Sequence, residues 1–436
     1  MRLVPSALAL WIAGTALFGV ALAAAFLANG EIWLLGAVAL YLAVLGLDAG
    51  FAFQSLSALT ISVPALIRLF TERPAEFPVR VDWSARPRSR IRVGFAFPEG
   101  LTVMPEDRWL DLESASSQVS WPIVGERRGR YWLDAVAAEC PSPLRLWDVR
   151  RRFDLECEVR VYPRIRQARD LALLRREGAG IRSVRQVGQG REFEKLREYV
   201  AGDGFDEIHW KATARRAAPV TKVFQVERTQ EVYVLIDAGR MSAREVDGEL
   251  ILDRYLESAL LMALAAEGRG DLFGIATFSD RVHGFVRARN GKAHYGACRE
   301  MIYQLESSPV SADFESLAAF LYPLLSRRAL LIVLSSFDDP VAAESFARAQ
   351  GVLSRKHLLI AGALRPRSVE PLFGREPLES AEQIYDRLAG HVAWHQLKQQ
   401  EITWRRQGAR LLLFEPGTLN AQLLAAYDEV KQRQLL

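Results

Sequence analysis

Val232 to Ser242 reads VYVLIDAGRMS. Five apolar residues in a row, mostly β-branched or aromatic, stop abruptly at Asp237 and Gly239. A short run without polar alternation is the pattern of a strand covered on both faces. The pattern repeats downstream in DLFGIATF (271–278), ALLIVLSS (329–336), HLLIAGAL (357–364) and RLLLFEP (410–416). Helical patterns lie between these runs. They are LILDRYLESALLMALAAEG, ended by Gly268; SLAAFLYPLL, which contains Pro323; VAAESFARAQGVL; a long polar stretch from Ser380 to Gln407; and the closing LNAQLLAAYDEVKQRQLL. Apolar strands alternating with helices predict an α/β domain with a mostly parallel sheet over residues 230–436. Ligands of such sheets sit at the carboxyl ends of the strands, so the residues after each strand carry the information.

The chain upstream is built differently. Residues 57–165 hold short alternating runs broken by Pro, Gly and Ser, such as FPVRVDW, RIRVGFAF, RYWLDAVAAE and CEVRVYP. This predicts a small antiparallel, sandwich-like β domain. Residues 166–229 form a charged linker. Within it, REFEKLREYV sets Phe193, Leu196, Tyr199 and Val200 on one helical face, and IHWKATARRAA predicts a second short helix stopped before Pro219.

Residues 1–52 are strongly apolar. No charge occurs between Arg2 and Glu31, and IWLLGAVALYLAVLGL (32–47) follows after Asn29, Gly30 and Glu31. The two runs predict a transmembrane helical hairpin. The turn has no Lys or Arg, whereas Arg2, Arg68, Arg73 and Arg80 flank the pair, which places both ends and the globular parts on the cytoplasmic side of the inner (plasma) membrane. The competing reading is a cleaved signal peptide, for which ALAAA near residue 22 offers small residues. Asp48, at the end of the second run, is expected at the interface.

Composition narrows the function classes. A chain of 436 residues needs more than one core. The net charge of +4 gives no reason to expect a nucleic-acid partner, although arginines cluster at 86–92, 150–152 and 215–216. Cys140, Cys157 and Cys298 form no C-x-x-C pair and read as reduced or buried thiols in a reducing compartment; a Cys140–Cys157 bridge is the alternative outside the cytosol. No G-x-S-x-G elbow, G-x-x-x-x-G-K-[ST] loop or H-E-x-x-H pair occurs, so no catalytic residue is assigned and no enzyme is expected.

Two clusters remain. After the first strand of the α/β domain come Asp237, Gly239, Arg240, Met241 and Ser242. This resembles the Asp-x-Ser-x-Ser turn of von Willebrand factor A-type domains, where a Thr and a second Asp complete an Mg²⁺ site. Here Gly239 and Met241 stand at the serine positions, Ala312 at the threonine and Ser336 at the second aspartate. Asp237 alone survives, so the expectation is no cofactor, with Mg²⁺ only a weak candidate helped by Ser242, Asp313 or Asp338. Otherwise Asp237 caps the next turn or pairs with a nearby arginine.

The second cluster is GDGFDEIHWKATARR (202–216). Asp203, Asp206, Glu207, His209 and Lys211 could supply an acid and a base, as a hydrolase would need. A structural brace uses more of the residues. In that reading Trp210 and Ile208 bury against a sheet, and Arg197, Lys211, Arg215 and Arg216 pair with Glu198, Asp203, Asp206 and Glu207.

With the residues before it, this stretch resembles domain-of-unknown-function family 58, whose members read LREY-x-x-GD-x-x-x-x-I-x-W-K-x-x-AR ahead of a von Willebrand factor A-like domain. Leu196, Arg197, Glu198, Tyr199, Gly202, Asp203, Ile208, Trp210, Lys211, Ala214 and Arg215 match. RRGRY (127–131), SPLRLW (142–147), VYPRI (161–165) and the closing AAYDEVKQRQLL also fit; the family usually has glycine where this chain has Arg145. The resemblance implies a membrane-anchored adaptor that works with a MoxR-type AAA+ ATPase, or its client, in assembly or maturation of other proteins. The alternatives are a divalent-cation-dependent binding domain and an uncharacterised hydrolase.

Overall fold

The computed structural model describes residues 2–26, 30–83, 90–112, 114–164, 187–200, 208–216, 218–225, 229–365, 369, 371 and 381–433. Two units divide the chain, Met1–Arg164 and Ile165–Leu436.

In the first unit the apolar runs are helices α1 (Ala7–Phe26) and α2 (Gly30–Ser57). Tyr41 of α2 donates its hydroxyl to the Ala9 carbonyl of α1 at 2.8 Å. Leu35–Phe53 is long and apolar enough to cross a membrane. Strands β1 (Arg2–Pro5), β3 (Leu66–Phe70), β5 (Arg90–Phe95), β7 (Asp107–Asp111), β9 (Gly129–Pro141) and β10 (Trp147–Tyr162) form one sheet in the order β1-β10-β9-β5-β7, with β3 off β10. Strands β2 (Leu59–Ser62), β4 (Ala75–Trp83), β6 (Leu101–Thr102) and β8 (Ser116–Gly125) form a second, in the order β2-β4-β8-β6. Pairing is antiparallel except β3 with β10, which run parallel. Every second residue of β4 points inward, and Phe77, Val79, Val81 and Trp83 share one core with Ile91, Val93, Val136 and Val159 of the other sheet.

Asp48, at the end of the second apolar run, is enclosed by protein. It is 2% exposed, packed against the chain's own SPLRLW turn. Its carboxylate accepts the Ser142 hydroxyl and the backbone N–H of Leu144 at 3.0 Å and Leu146 at 3.4 Å. The SPLRLW turn thus closes over a buried acid, whose lone pairs it satisfies. Trp147 donates its indole N–H to the Leu45 carbonyl at 3.0 Å, and the Ser6 hydroxyl donates to the Arg145 carbonyl at 2.5 Å. Arg145 itself has φ = 58°. Glycine reaches that left-handed conformation without a Cβ penalty, which explains the residue usual in the family.

In the second unit REFEKLREYV is not a helix. Its residues fall mainly in strand β11 (Val187–Glu198), paired antiparallel with β12 (Val220–Gln225) through two register shifts. The helical spacing of its apolar residues is overridden by a partner strand distant in sequence. The expected short helix is present as α3 (Trp210–Arg216).

The α/β sheet contains β13 (Glu231–Asp237), β16 (Leu272–Phe278), β17 (Val282–Arg289), β18 (Ala329–Leu334), β19 (Leu358–Leu364) and β20 (Ala409–Phe414). A two-residue pair, β14 (Glu245–Val246) and β15 (Glu249–Leu250), precedes helix α4 (Ile251–Gly268). Counting the six strands from β13, the spatial order is 3-2-1-4-5-6, all parallel except the edge strand β17. This is a doubly wound sheet. Val232, Val234 and Ile236 face a core with α4, α5 (Lys292–Ile302) and α9 (Leu419–Gln432). Tyr233 and Leu235 face α6 (Phe314–Leu324), α7 (Pro340–Leu353) and α8 (Ala381–Arg406).

Candidate functional site

The order reverses between β13 and β18, and the residues beyond their carboxyl ends form the switch-point crevice. Asp237 ends β13 and is 3% exposed. One carboxylate oxygen accepts the Gly239 N–H at 2.6 Å, and the other accepts the Ser335 hydroxyl from the end of β18 at 2.5 Å. Burial pushes this carboxyl above its ordinary value; the two hydrogen bonds oppose that, and nearby Asp339 adds to it. Asp237 therefore caps a turn through Gly239.

The arginines have other partners. Arg240 reaches Asp339 at 2.9 Å, and Arg244 holds Asp338 through two bonds of 2.6 and 3.0 Å. Asp339, 5% exposed, also accepts the Val341 N–H and so starts α7. Ser242 donates its hydroxyl to the Gly239 carbonyl at 2.7 Å. Asp313 caps α6 by accepting from Glu315 and Ser316.

The positions that matter for Mg²⁺ are thus accounted for. Gly239, Met241 and Ala312 bring no side-chain oxygen, and the Ser335 hydroxyl is bonded to Asp237. Ser242, Asp313 and Asp338 each already serve a protein partner. A Cβ at Gly239 would meet the Val310 carbonyl at 2.8 Å, so backbone fills the space where a serine side chain would start. Among the described residues no three His, Cys, Asp or Glu side chains converge. These residues do not fit a hard, octahedral cation.

At the end of β16 the buried Ser279 hydroxyl lies 2.7 Å from His283 Nε2 and donates to Asp280 at 2.8 Å. The acid takes the hydroxyl rather than orienting the imidazole, so these residues do not form a relay from Ser through His to Asp.

The signature stretch divides. Ile208 is buried and bridges to Thr221, as expected. Trp210 is 68% exposed, which corrects the expectation of burial: it is the first residue of α3, and Lys211 and Arg215 are exposed beside it. The His209 ring nitrogen Nδ1 accepts the Ala212 N–H and so caps the first turn of α3. Tyr199 N–H donates to the Pro219 carbonyl. Gly202, Asp203, Asp206 and Glu207 lie outside the described residues, as does the side chain of Arg197, so their proposed ion pairs do too. The three cysteines are buried and form no disulfide.

Arg240, Arg244, Asp339 and Ser335 are the residues that sequence reasoning did not assign. Their signal was the pair of segments DAGRMSAR and SSFDD, each at the end of an apolar strand, the first carrying two arginines and the second two aspartates.

The doubly wound sheet with an antiparallel edge strand is the arrangement expected of a von Willebrand factor A-like α/β unit. Residues 195–384 match the family described as "Protein of unknown function DUF58", and the chain carries a DUF58 region over that span. No curated protein matches. Among solved structures, the SpRpn10 VWA domain is similar at 10% identity over 45% of this chain and 94% of its own, with a TM-score of 0.28. WR4, a C. elegans MSP family member, is similar at 8% identity over 24% of this chain and 97% of its own, with a TM-score of 0.16. The YadV chaperone follows at 15% identity over 27% of this chain and 58% of its own, with a TM-score of 0.17. At such scores the fold is read from the chain's own strand order.

Proposed function

We propose that this chain is a membrane-anchored scaffold whose von Willebrand factor A-like unit presents a fixed surface to protein partners, a MoxR-type AAA+ ATPase or its client, during assembly or maturation of other proteins. In this reading α1 and α2 cross the bilayer as a hairpin, with both units cytoplasmic. The carrying observation is the switch-point crevice: Asp237, Asp338 and Asp339 all spend their oxygens on protein donors. A crevice stitched in this way offers shape rather than a nucleophile or a cation. The hairpin is supported by the apolar stretch Leu35–Phe53 and by the attachment of both helices to one turn, through Ser6 and through Asp48.

Affinity capture from detergent extracts, in the presence and absence of nucleotide, tests the reading. A MoxR-type ATPase should be identified by mass spectrometry, and capture without nucleotide should persist in EDTA and with Asp237→Asn. Recovery of no such ATPase in any nucleotide state removes the proposal. Capture lost both in EDTA and with Asp237→Asn would instead establish a cation-dependent site.

A further inference from the structure

The Ser142–Trp147 turn sits at a level that two helices set independently. Asp48, which it encloses, lies within Leu35–Phe53, the stretch long and apolar enough to cross a membrane. Leu40, Leu47 and Phe51 are 68, 65 and 62% exposed and, seven and four residues apart, share one face of α2. That exposed apolar stripe continues about one helical turn past the acid. Helix α1 supplies the second measure. Its 20 residues span roughly 30 Å, the thickness of a hydrocarbon core. It begins directly after Ser6, whose N–H donates to the Leu146 carbonyl at 3.0 Å. The backbone of the turn is already bonded, Ser142 N–H to the Trp147 carbonyl at 2.7 Å and Arg145 N–H to the Ser142 carbonyl at 3.0 Å. Its tip, Pro143, Leu144 and Arg145, is exposed, Leu144 by 56%.

We propose that this turn is a third membrane contact, embedded in the headgroup layer of the leaflet where α1 begins and α2 reaches Asp48. Leu144 lies at the edge of the hydrocarbon, and the Arg145 and Arg2 guanidiniums meet the phosphates of anionic phospholipids. The proposal rests on the hairpin reading above. Leu144 N–H and the Trp147 indole are bonded to Asp48 and to the Leu45 carbonyl of α2, so the turn shares the depth of the stripe that runs past Asp48. An exposed leucine is favoured at the hydrocarbon edge over water, and the arginine beside it extends outward to the phosphates. Charge selects the lipid. In the β1–β10 pair Arg2 stands opposite Arg150, which Glu139 holds at 2.8 Å. Arg2 and Arg145 are exposed cations at the rim of the apolar slab, where anionic headgroups attract basic residues. A bilayer also covers the stripe on α2 and Leu3, 41% exposed beside Arg2, which a protein reaching the turn alone leaves in water.

The full-length chain reconstituted in phosphatidylcholine vesicles with a minority of phosphatidylglycerol tests this. The three native cysteines are buried, so Leu144→Cys can be labelled selectively with an environment-sensitive fluorophore. Arg127→Cys is the control, at the far end of β9, roughly 40 Å away at 3.3 Å per residue. The probe at 144 should be quenched by lipids carrying a nitroxide near the headgroup and spared by aqueous iodide; the probe at 127 should show the reverse. Nitroxide-labelled phosphatidylglycerol should quench at 144 at least about twofold more than labelled phosphatidylcholine at equal amount. Arg145→Gly with Arg2→Gln should abolish that excess while the vesicles still carry the chain. A chain that does not float with vesicles removes the hairpin reading itself. A chain that floats with position 144 open to iodide overturns this inference alone, as does equal quenching by the two labelled lipids. A probe shielded from both iodide and nitroxide assigns the turn to a protein partner and overturns it as well.

Discussion

Arg145 holds a left-handed backbone on an exposed turn, and its side chain makes none of the bonds that anchor that turn. An L-residue there costs about 1–2 kcal/mol, part of which glycine returns to the unfolded chain as entropy. Arg145→Gly should therefore raise stability by about 0.5–1 kcal/mol, seen as a higher midpoint in chemical denaturation. His357 is the opposite kind of residue. It is 3% exposed, and neither ring nitrogen has a hydrogen-bond partner. Burial, with Lys356 and Arg328 adding to it, lowers its pKa from 6.5 to about 4. The fold thus favours the neutral ring, and protons bind the unfolded chain more readily. Its effect on stability is absent above about pH 7, grows as pH falls from about 6.5 to about 4, and then levels off. At pH 5 the loss is about 2 kcal/mol. His357→Phe should flatten that part of the pH profile in denaturant titrations; an unchanged slope between pH 7 and 5 would refute the assignment.

At the scale of elements, β16 packs against its neighbour through an absence. A Cβ at Gly274 would lie 2.3 Å from the Tyr233 ring of β13 and 2.9 Å from the Ala288 backbone nitrogen of β17. Gly274→Ala should cost about 1–3 kcal/mol, read as a lower melting temperature, because rigid backbone bounds one side of the gap. The parallel strands were legible in sequence because they are covered on both faces and so read as uninterrupted apolar runs. Helix α8 was expected from Ser380 to Gln407 and lies at Ala381–Arg406. The edge strand β17 and helix α5 were missed. VHGFVRAR alternates only loosely, and an edge strand half open to water is not asked to be apolar. REFEKLREYV misled because its helical spacing is real, while the strand that claims it lies more than twenty residues away in sequence.

Across the whole molecule, local pattern located the site but not its wiring. Asp237 was visible as the residue after a buried strand; that Ser335 would hold it, and that Asp339 would take Arg240, depends on strands brought together by a long crossover. The closing AAYDEVKQRQLL gains its reason in the same way. Tyr427 and Lys431 of α9 both meet the buried carboxylate of Asp271, and Asp428 pairs with Arg269 at 2.8 Å, which locks the last helix to the turn before β16.

The turn from Ser142 to Trp147 is gripped at Ser6 ahead of one apolar helix and at Asp48 within the other. Tension on either helix is therefore delivered to the same six-residue knot and on to β9 and β10, with no slack loop to absorb it. Within Met1–Arg164, then, this knot makes a stiff mechanical joint: tugging on the helices strains the sheet directly, and stretching the sheet tugs back on the helices.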